Sequence, residues 1–173
     1  MAEAPKSPPP GAGATPGNAP RLMVQTQYIK DLSFENPRGP ASAEPGQTRP
    51  EIQVRVDVRA QAAGTDRYEV SLQLHVDAKA GEETTFMLEL TYGGLFVMQN
   101  VPQESLQAIL LVECPRLLFP FARRIVADAT RDGGFPPLMI DPIDFAALYR
   151  RRQQSQAEGR PVDSPVVGDP RPN

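Results

Sequence analysis

Three consecutive segments in the middle of the chain alternate apolar and polar residues with a period of two. They run from Glu51 to Ala60, from Arg67 to Lys79 and from Thr84 to Met98, and the short turn sequences AAGTD and AGEE separate them. Such alternation places all the apolar side chains of a strand on one face. Because turn residues between such runs are typical of hairpins, the pattern predicts an antiparallel sheet covered on one side only.

An earlier segment, Leu22 to Glu35, predicts a further strand, because its second half alternates in the same way. Its polar face is unusual in carrying three oxygen-bearing side chains in succession, for which a solvated surface is the ordinary interpretation. The predicted apolar face comprises Tyr28, Leu32 and Phe34, and the polar face comprises Asp31, Ser33 and Glu35.

Helical patterns come after the strands, which predicts an α+β fold with the helices in a second layer. In the first pattern, Pro102 to Ala129, we expect a short helix, a break near Cys114, and a longer helix that ends at the glycine pair beginning with Gly133. The second pattern predicts a final helix with Asp141 as its N-cap and a proline at its first position.

The 20 prolines of this 173-residue chain cluster at its two ends. Segments of this composition bury too little apolar surface to offset the entropy lost on ordering. We therefore expect a disordered extension over residues 1–20, an ordered domain over 21–153 and a disordered tail over 154–173.

Residue types that usually carry catalysis or bind metals are scarce. His75 is the single histidine and Cys114 the single cysteine, so no cluster of metal ligands and no activated nucleophile can be named. We interpret Cys114 as a buried, unreactive thiol. The pair Gly93 and Gly94 lacks the lysine of a phosphate loop and is interpreted as a bulge or bend. No cofactor and no metal are therefore expected.

Composition also limits the cellular location and the classes of partner that we expect for this chain. The chain has no run of eighteen apolar residues and no apolar stretch after a basic N-terminus, so we expect no membrane insertion, no secretory signal and a cytoplasmic location. A net charge of −3 argues against nucleic acid.

Three sequence blocks carry a resemblance to a known family. In chain order they are YIKDLSFENP, GEETTFMLELTYGGLF and CPRLLFPFARRIVADATRDGGFPPLMIDPIDFAALY. In order and spacing they resemble the bacterial SecB family of protein-export chaperones, and the resemblance covers about residues 23–150.

The resemblance implies both a fold and an activity. It implies a four-stranded antiparallel sheet with helices packed on one face, in which the long connection 36–50 carries the chain past neighbouring strands. It further implies a cytoplasmic, ATP-independent holdase, not an enzyme, that binds unfolded precursors and passes them to the motor SecA. Such proteins are homotetramers, formed as dimers of dimers.

The resemblance also assigns residues. The positions that match the SecA-docking face are Asp31, Glu35, Met87 and Glu89. Candidates for the client-binding groove are Val54, Val56, Phe86, Phe119, Phe121, Leu138, Met139, Phe145 and Tyr149. Candidates for the tetramer interface, together with the long helix, are Leu88, Leu90 and Tyr92.

Two other hypotheses remain open at this point. One is a small enzyme that uses the carboxylates of Glu82, Glu83 and Glu89. The other is an adaptor that binds a folded partner through the acidic sheet face and never holds unfolded chains. Suppression of the aggregation of a denatured protein distinguishes the holdase from both.

Overall fold

The computed structural model describes residues 19–39, 49–158 and 166–167. Four long strands and one short strand form a single antiparallel sheet: β1 (Arg21–Glu35), β2 (Glu51–Gly64), β3 (Arg67–Ala80), β4 (Glu83–Gln99) and β5 (Val166–Val167). Their order is β1-β4-β3-β2-β5. Strands β4 and β3 thus lie between β1 and β2 in the sheet, and the α+β fold with four main strands is confirmed. Most of the predicted connection 36–50, residues 40–48, lies outside the described residues. The short strand β5 was not predicted.

Both predicted hairpin turns are tight, two-residue connections. The turn between β2 and β3 contains Asp66 with a φ of 54°, and the turn between β3 and β4 contains Gly81 with a φ of 66°. Positive φ angles suit the twist that joins two antiparallel strands through so short a loop. The turns therefore fix the pairing of β2, β3 and β4.

The inner face of the sheet forms the hydrophobic core against the helices. The alternating apolar residues predicted for β2, β3 and β4 are almost all buried there, as alternation requires. Those with at most 2% of their surface exposed include Val54, Val56, Leu72, Leu74, Phe86, Leu88 and Leu90. The outer face consequently carries the polar side chains.

A register shift in β1 changes the face on which Tyr28 lies. The pairing of β1 with β4 slips between Ile29 and Asp31, and one extra residue in a strand reverses the face of everything before it. Tyr28 therefore lies on the outer face, whereas Leu32 and Phe34 lie on the inner face. The prediction that all three share one face is wrong because strict alternation does not continue across the bulge.

The glycine pair in β4 permits close contacts instead of forming a bulge. Pairing of β4 with β3 continues through Gly93 and Gly94 without a shift, which corrects the predicted bulge. On the outer face the ring of Tyr28 covers Gly93, and on the inner face Leu118 lies against Gly94, with its Cδ2 atom 2.7 Å from the place a Cβ would occupy. A helix and an aromatic ring thus approach the same strand from opposite sides.

One continuous helical run follows the sheet. It consists of α1 (Gln103–Ala108), a π-helical turn (Ile109–Glu113) and α2 (Cys114–Asp132), and it ends at Gly133 as predicted. The predicted break near Cys114 is absent. The π turn uses i→i+5 hydrogen bonds, so the helix continues although Pro115 has no N–H for the usual bond.

The same run is apolar enough to resemble a membrane span. Its most apolar 18-residue window, within Gln103–Asp132, has a mean hydropathy of 1.3, which the search for uninterrupted apolar residues did not reveal. Length and composition alone would therefore allow it to cross a bilayer. The buried side chains of α2, such as Leu118 and Val126, belong to the core with the sheet, as those of a core helix do.

The final helix, α3 (Phe145–Ala157), begins later than predicted. Its N-cap is Asp144, whose Oδ1 accepts a hydrogen bond of 2.9 Å from the backbone N–H of Ala147. This bond holds the pKa of Asp144 below its ordinary value. The assignment of Asp141 as N-cap is wrong, because residues 141–144 are not helical and the capping hydrogen bond is made by Asp144.

Helix α3 extends four residues beyond the predicted domain boundary at 153, and β5 lies within the predicted tail. Most of the predicted extension, 1–18, and tail segments 159–165 and 168–173 lie outside the described residues.

Candidate functional site

Four residues that were predicted to bind a partner lie together on the outer face of the sheet. Glu35 is opposite Met87 in the β1–β4 pairing, Ser33 is opposite Glu89, and Asp31 lies two residues before Ser33 in β1. The four positions that the resemblance matched therefore share one face of the sheet. We call Asp31, Glu35, Met87 and Glu89 the acidic patch.

One carboxylate of the acidic patch is engaged by a neighbouring strand. Glu89 Oε1 lies 2.8 Å from Nδ1 of His75, and Nε2 of the same ring lies 3.0 Å from Oδ2 of Asp77. Arg55 in turn contacts that Asp77 oxygen at 2.7 Å. Because a neutral imidazole has a single N–H, the ring can donate to both carboxylates only as an imidazolium. This network offsets part of the negative charge beside the patch.

The other two carboxylates of the patch are available. Asp31 and Glu35 are both exposed, and neither forms an ion pair with any residue in the described ranges. An ionised carboxylate only accepts hydrogen bonds, so one without an internal partner can bind a basic group of another molecule. The strongest free negative charge of the patch therefore lies on β1.

A hydrogen-bonded clamp fixes β1 beside the acidic patch. The Tyr28 hydroxyl donates to Glu69 Oε1 at 2.6 Å, Lys30 Nζ donates to the same oxygen at 2.9 Å, and Gln61 Nε2 donates to the other carboxylate oxygen. The bond from Tyr28 holds the pKa of Glu69 below its ordinary value, and the same bond raises the pKa of Tyr28. The clamp joins β1, β3 and β2, and sequence reasoning missed it because Tyr28 was assigned to the core.

Most candidates for the client groove lie in the core. Six of the nine have 8% or less of their surface exposed: Val54, Val56, Phe86, Phe119, Leu138 and Phe145. In the single chain they pack against one another and are not presented to a ligand. Exposure depends on which elements cover a residue, and apolar character alone does not determine that.

The three remaining groove candidates retain surface. Phe121 and Met139 are exposed, and Tyr149 is partly exposed. Phe121 stacks on Tyr92 with a ring-centroid distance of 6.3 Å, whereas the Tyr149 hydroxyl reaches Gln107 in α1 at 3.5 Å. These contacts place Phe121 beside β4 and Tyr149 beside the start of the long helical run.

A cleft of about 700 Å³ opens between the second half of β2, the start of the long helical run and α3. We call it the edge cleft. Its apolar lining comes from Val58, Ala60, Leu106, Leu110 and Leu111, and its polar lining from Arg59, Gln61, Gln103, Gln107, Arg152 and Gln156. None of the nine predicted groove residues lines it. The apolar spacing of 106–111 predicted a helix but could not show which side stays uncovered.

The predicted interface residues are covered by the chain's own helix. Leu88 and Leu90 are fully buried, and Tyr92 is nearly so. Exposed apolar side chains are found instead on β1 and on α2: Val24, Ile29, Leu32, Leu117 and Phe121. We call these five residues the apolar β1–α2 surface. An exposed apolar patch of this kind is typical of a protein–protein contact.

Metal binding finds no support among the side chains that the structure describes. No group of three or more His, Cys, Asp or Glu residues in these ranges is arranged to hold an ion. Cys114 is fully buried, and burial raises its pKa to about 12.

Comparison with known proteins identifies relatives over most of the chain. The family profile described as Preprotein translocase subunit SecB matches residues 15–156. The chain is 52% identical over 153 residues to the protein-export protein SecB of Parvibaculum lavamentivorans, covering 88% of this chain and 91% of the relative. It is 50% identical over 171 residues to that of Maricaulis maris, covering 98% of each.

A solved structure is similar in fold. The Mycobacterium tuberculosis Rv1957 SecB-like chaperone, in complex with a ChAD peptide from the Rv1956 HigA1 antitoxin, superposes with a TM-score of 0.55 at 19% identity. The match covers 71% of this chain and 91% of that one.

Proposed function

The chain belongs to the SecB family of protein-export chaperones, and we propose that it is an ATP-independent holdase that keeps precursors of exported proteins unfolded and delivers them to SecA. The family consists of chaperones and not enzymes, which argues against the hypothesis of an enzyme that uses Glu82, Glu83 and Glu89. We place the protein in the cytoplasm, where precursors await export. The observation that carries the proposal is the acidic patch, which sits on an open sheet face.

The acidic patch is suited to dock a basic partner, which we propose is SecA. Asp31 and Glu35 are exposed and carry no ion pair within the described ranges, so a lysine or arginine of a partner need not first displace an internal cation. Glu89 is 60% exposed but held by His75, so its use requires exchange of that contact. Complementary charge mainly accelerates encounter and sets specificity.

The edge cleft is suited to hold an unfolded client. An unfolded chain exposes apolar side chains together with unpaired backbone groups, and a folded protein hides both. The cleft offers Leu106, Leu110 and Leu111 beside the edge of β2. It can therefore contact both the apolar side chains and the backbone groups of a client, whatever the client's sequence. Selectivity then depends on the folding state of the client.

The apolar β1–α2 surface supports a homotetramer. It combines the edge strand β1, which can pair with a second copy, and the exposed side of α2, which can pack against another dimer. Assembly covers apolar side chains that a single chain leaves in water. Several clefts on one particle would also raise client affinity through effective concentration.

Light scattering during dilution of a chemically unfolded client tests the holdase activity, with the native mass measured on the same sample. We expect suppression of aggregation without ATP by a particle of tetramer mass. A monomer that leaves scattering unchanged would contradict the proposal. A protein that binds SecA but does not suppress aggregation would support the adaptor hypothesis instead.

A charge-matched pair of variants tests the docking face. Asp31→Asn with Glu35→Gln should weaken SecA binding about tenfold while aggregation suppression is retained. Glu82→Gln with Glu104→Gln removes the same charge from exposed positions away from the patch and should leave SecA binding nearly unchanged. Equal weakening by both pairs would mean that net charge, not the patch, determines docking.

A further inference from the structure

The edge of β2 that faces away from β3 is lined by backbone groups that β3 does not pair. In an antiparallel pair, alternate residues direct their N–H and C=O groups toward the partner strand and away from it. Nη1 of Arg152 donates to the carbonyl oxygen of Val58 at 2.9 Å, so the backbone of Val58 points away from β3. Val56 and Val54 share this parity and point the same way. Such an edge is a template for another strand.

The C-terminal end of the chain covers this edge at two points. Strand β5 pairs antiparallel with β2, with Val167 opposite Val54 and Val166 opposite Arg55. Arg152 of α3 bonds Val58, so Val56 lies between the two contacts. The edge that would otherwise be open is thus occupied by the chain itself.

The sequence around β5 keeps this strand short. Pro165 directly precedes it and Gly168 directly follows it. Proline cannot donate a ladder hydrogen bond, and glycine weakens a strand. A two-residue strand gains few hydrogen bonds to offset the entropy lost when it is ordered. It therefore covers the edge but is held weakly.

We propose that β5 is a displaceable strand that occupies the position on the β2 edge where an extended segment of an unfolded protein adds by β-augmentation. The partner chemistry is an extended chain with free N–H and C=O groups and apolar side chains. A segment longer than β5 continues along β2 toward Val58, displaces Arg152, and places its side chains next to Leu106 and Leu110 of the edge cleft.

This inference rests on the proposed holdase function for the identity of the displacing chain, but the resting contact can be tested without a client. Backbone amide hydrogen exchange at Val54 is compared in the full chain, in Val167→Pro and in a chain ending at Glu158. We expect faster exchange at Val54 in both altered proteins. Val162→Pro, a change of the same kind in the same tail but outside β5, should leave it unchanged. Equal exchange in all four proteins would overturn the proposal.

The same four proteins are then titrated with reduced, carboxymethylated α-lactalbumin, which stays unfolded. Without β5 as an internal competitor, the edge of β2 is free for the client in a larger fraction of the molecules. The Kd for the probe should therefore fall about three- to tenfold for Val167→Pro and for the shortened chain, whereas Val162→Pro should leave it unchanged. An unchanged or higher Kd would overturn the proposal. If the full chain itself neither binds this probe nor suppresses aggregation, the holdase function fails, whereas the exchange result at Val54 still decides whether β5 covers the edge.

Discussion

The ring of Tyr28 lies against the backbone of Gly93, with its Cε2 atom 3.0 Å from the position that a Cβ atom would take. On the opposite face of β4, the corresponding position at Gly94 is 2.7 Å from Leu118 and 2.8 Å from Phe96. The two neighbouring glycines therefore provide a matched comparison between an exposed and a buried close approach.

Gly94→Ala should destabilise the protein much more than Gly93→Ala. Leu118 and Phe96 are fully buried and have no space to yield, so we expect a loss of about 1–3 kcal/mol in the free energy of unfolding. Tyr28 is exposed and can shift, while alanine suits a strand better than glycine. Denaturant unfolding of the two variants measures the difference, and a Gly93→Ala loss as large as that of Gly94→Ala would contradict it.

Tyr28→Phe should raise the pKa of Glu69 toward its ordinary value, because the bond from Tyr28 is the largest cause of its lowering. Because the folded pKa of Glu69 is lowered, this carboxyl stabilises the fold at pH values above its unfolded pKa of 4.5, and that stability is lost as the pH falls through the folded pKa. Because the folded pKa of Tyr28 is raised, this hydroxyl stabilises the fold at pH values below its unfolded pKa of 10.0, and that stability is lost as the pH rises through the folded pKa.

The Tyr28→Phe variant should therefore be less stable than the parent by about 1 kcal/mol near neutral pH, with the gap closing in acid. NMR titration of the Glu69 carboxyl and unfolding at several pH values check both parts. Tyr68→Phe is the control, because the Tyr68 hydroxyl has no hydrogen-bond partner among the described residues. A Glu69 titration unchanged by Tyr28→Phe would show that the clamp is absent in solution.

Thr130→Val should destabilise the protein by about 1–3 kcal/mol. The fully buried Thr130 hydroxyl accepts a hydrogen bond of 2.9 Å from the backbone N–H of Leu138 and can donate to the carbonyl of Val126 at 3.0 Å. Valine keeps the shape but leaves the Leu138 N–H without its acceptor. Amide exchange at Leu138 should rise in Thr130→Val and stay slow in Thr130→Ser, and equal exchange in the two variants would contradict this role.

Cys114 should resist thiol reagents while the protein is folded. Burial raises its pKa to about 12, and the thiolate is the reactive form. We expect labelling at pH 8 no faster than unfolding, and rapid labelling in denaturant. Asp132→Cys in a Cys114→Ala background presents a thiol at an exposed position of the same helix, outside the apolar β1–α2 surface, and should label quickly. Equally fast labelling of native Cys114 would place it at the surface.

The strands were predictable because each carries a long alternating pattern that the core enforces. Val54 and Leu72 are buried where period two requires, and the parity of Asp31 and Glu89 followed from the same rule. Burial of one face makes the register costly to change, so local sequence determines these positions well.

Other features depend on information that local sequence lacks. The bulge that moves Tyr28 to the outer face has no signal in the residue types around it. Asp141 and Asp144 are equally good N-caps by residue type, and only the start of α3 at Phe145 shows which of the two is used. Phe145 and Met139 are both apolar, yet one is in the core and the other is exposed. Coverage by other elements, not residue type, separates groove from core.

The π-helical turn at Ile109–Glu113 sets the rotational phase between α1 and α2. A π turn contains one residue more than the α-helical turn it replaces, and each residue of an α-helix advances the direction by about 100°. If the run became an ordinary α-helix at constant length, α2 would turn relative to α1 by about that angle, and Leu118 could no longer face Gly94 while Leu110 still faced the edge cleft. Deleting one residue of the π turn would instead restore an α-helical turn and keep both faces in place. This segment should therefore tolerate a single deletion better than a single insertion.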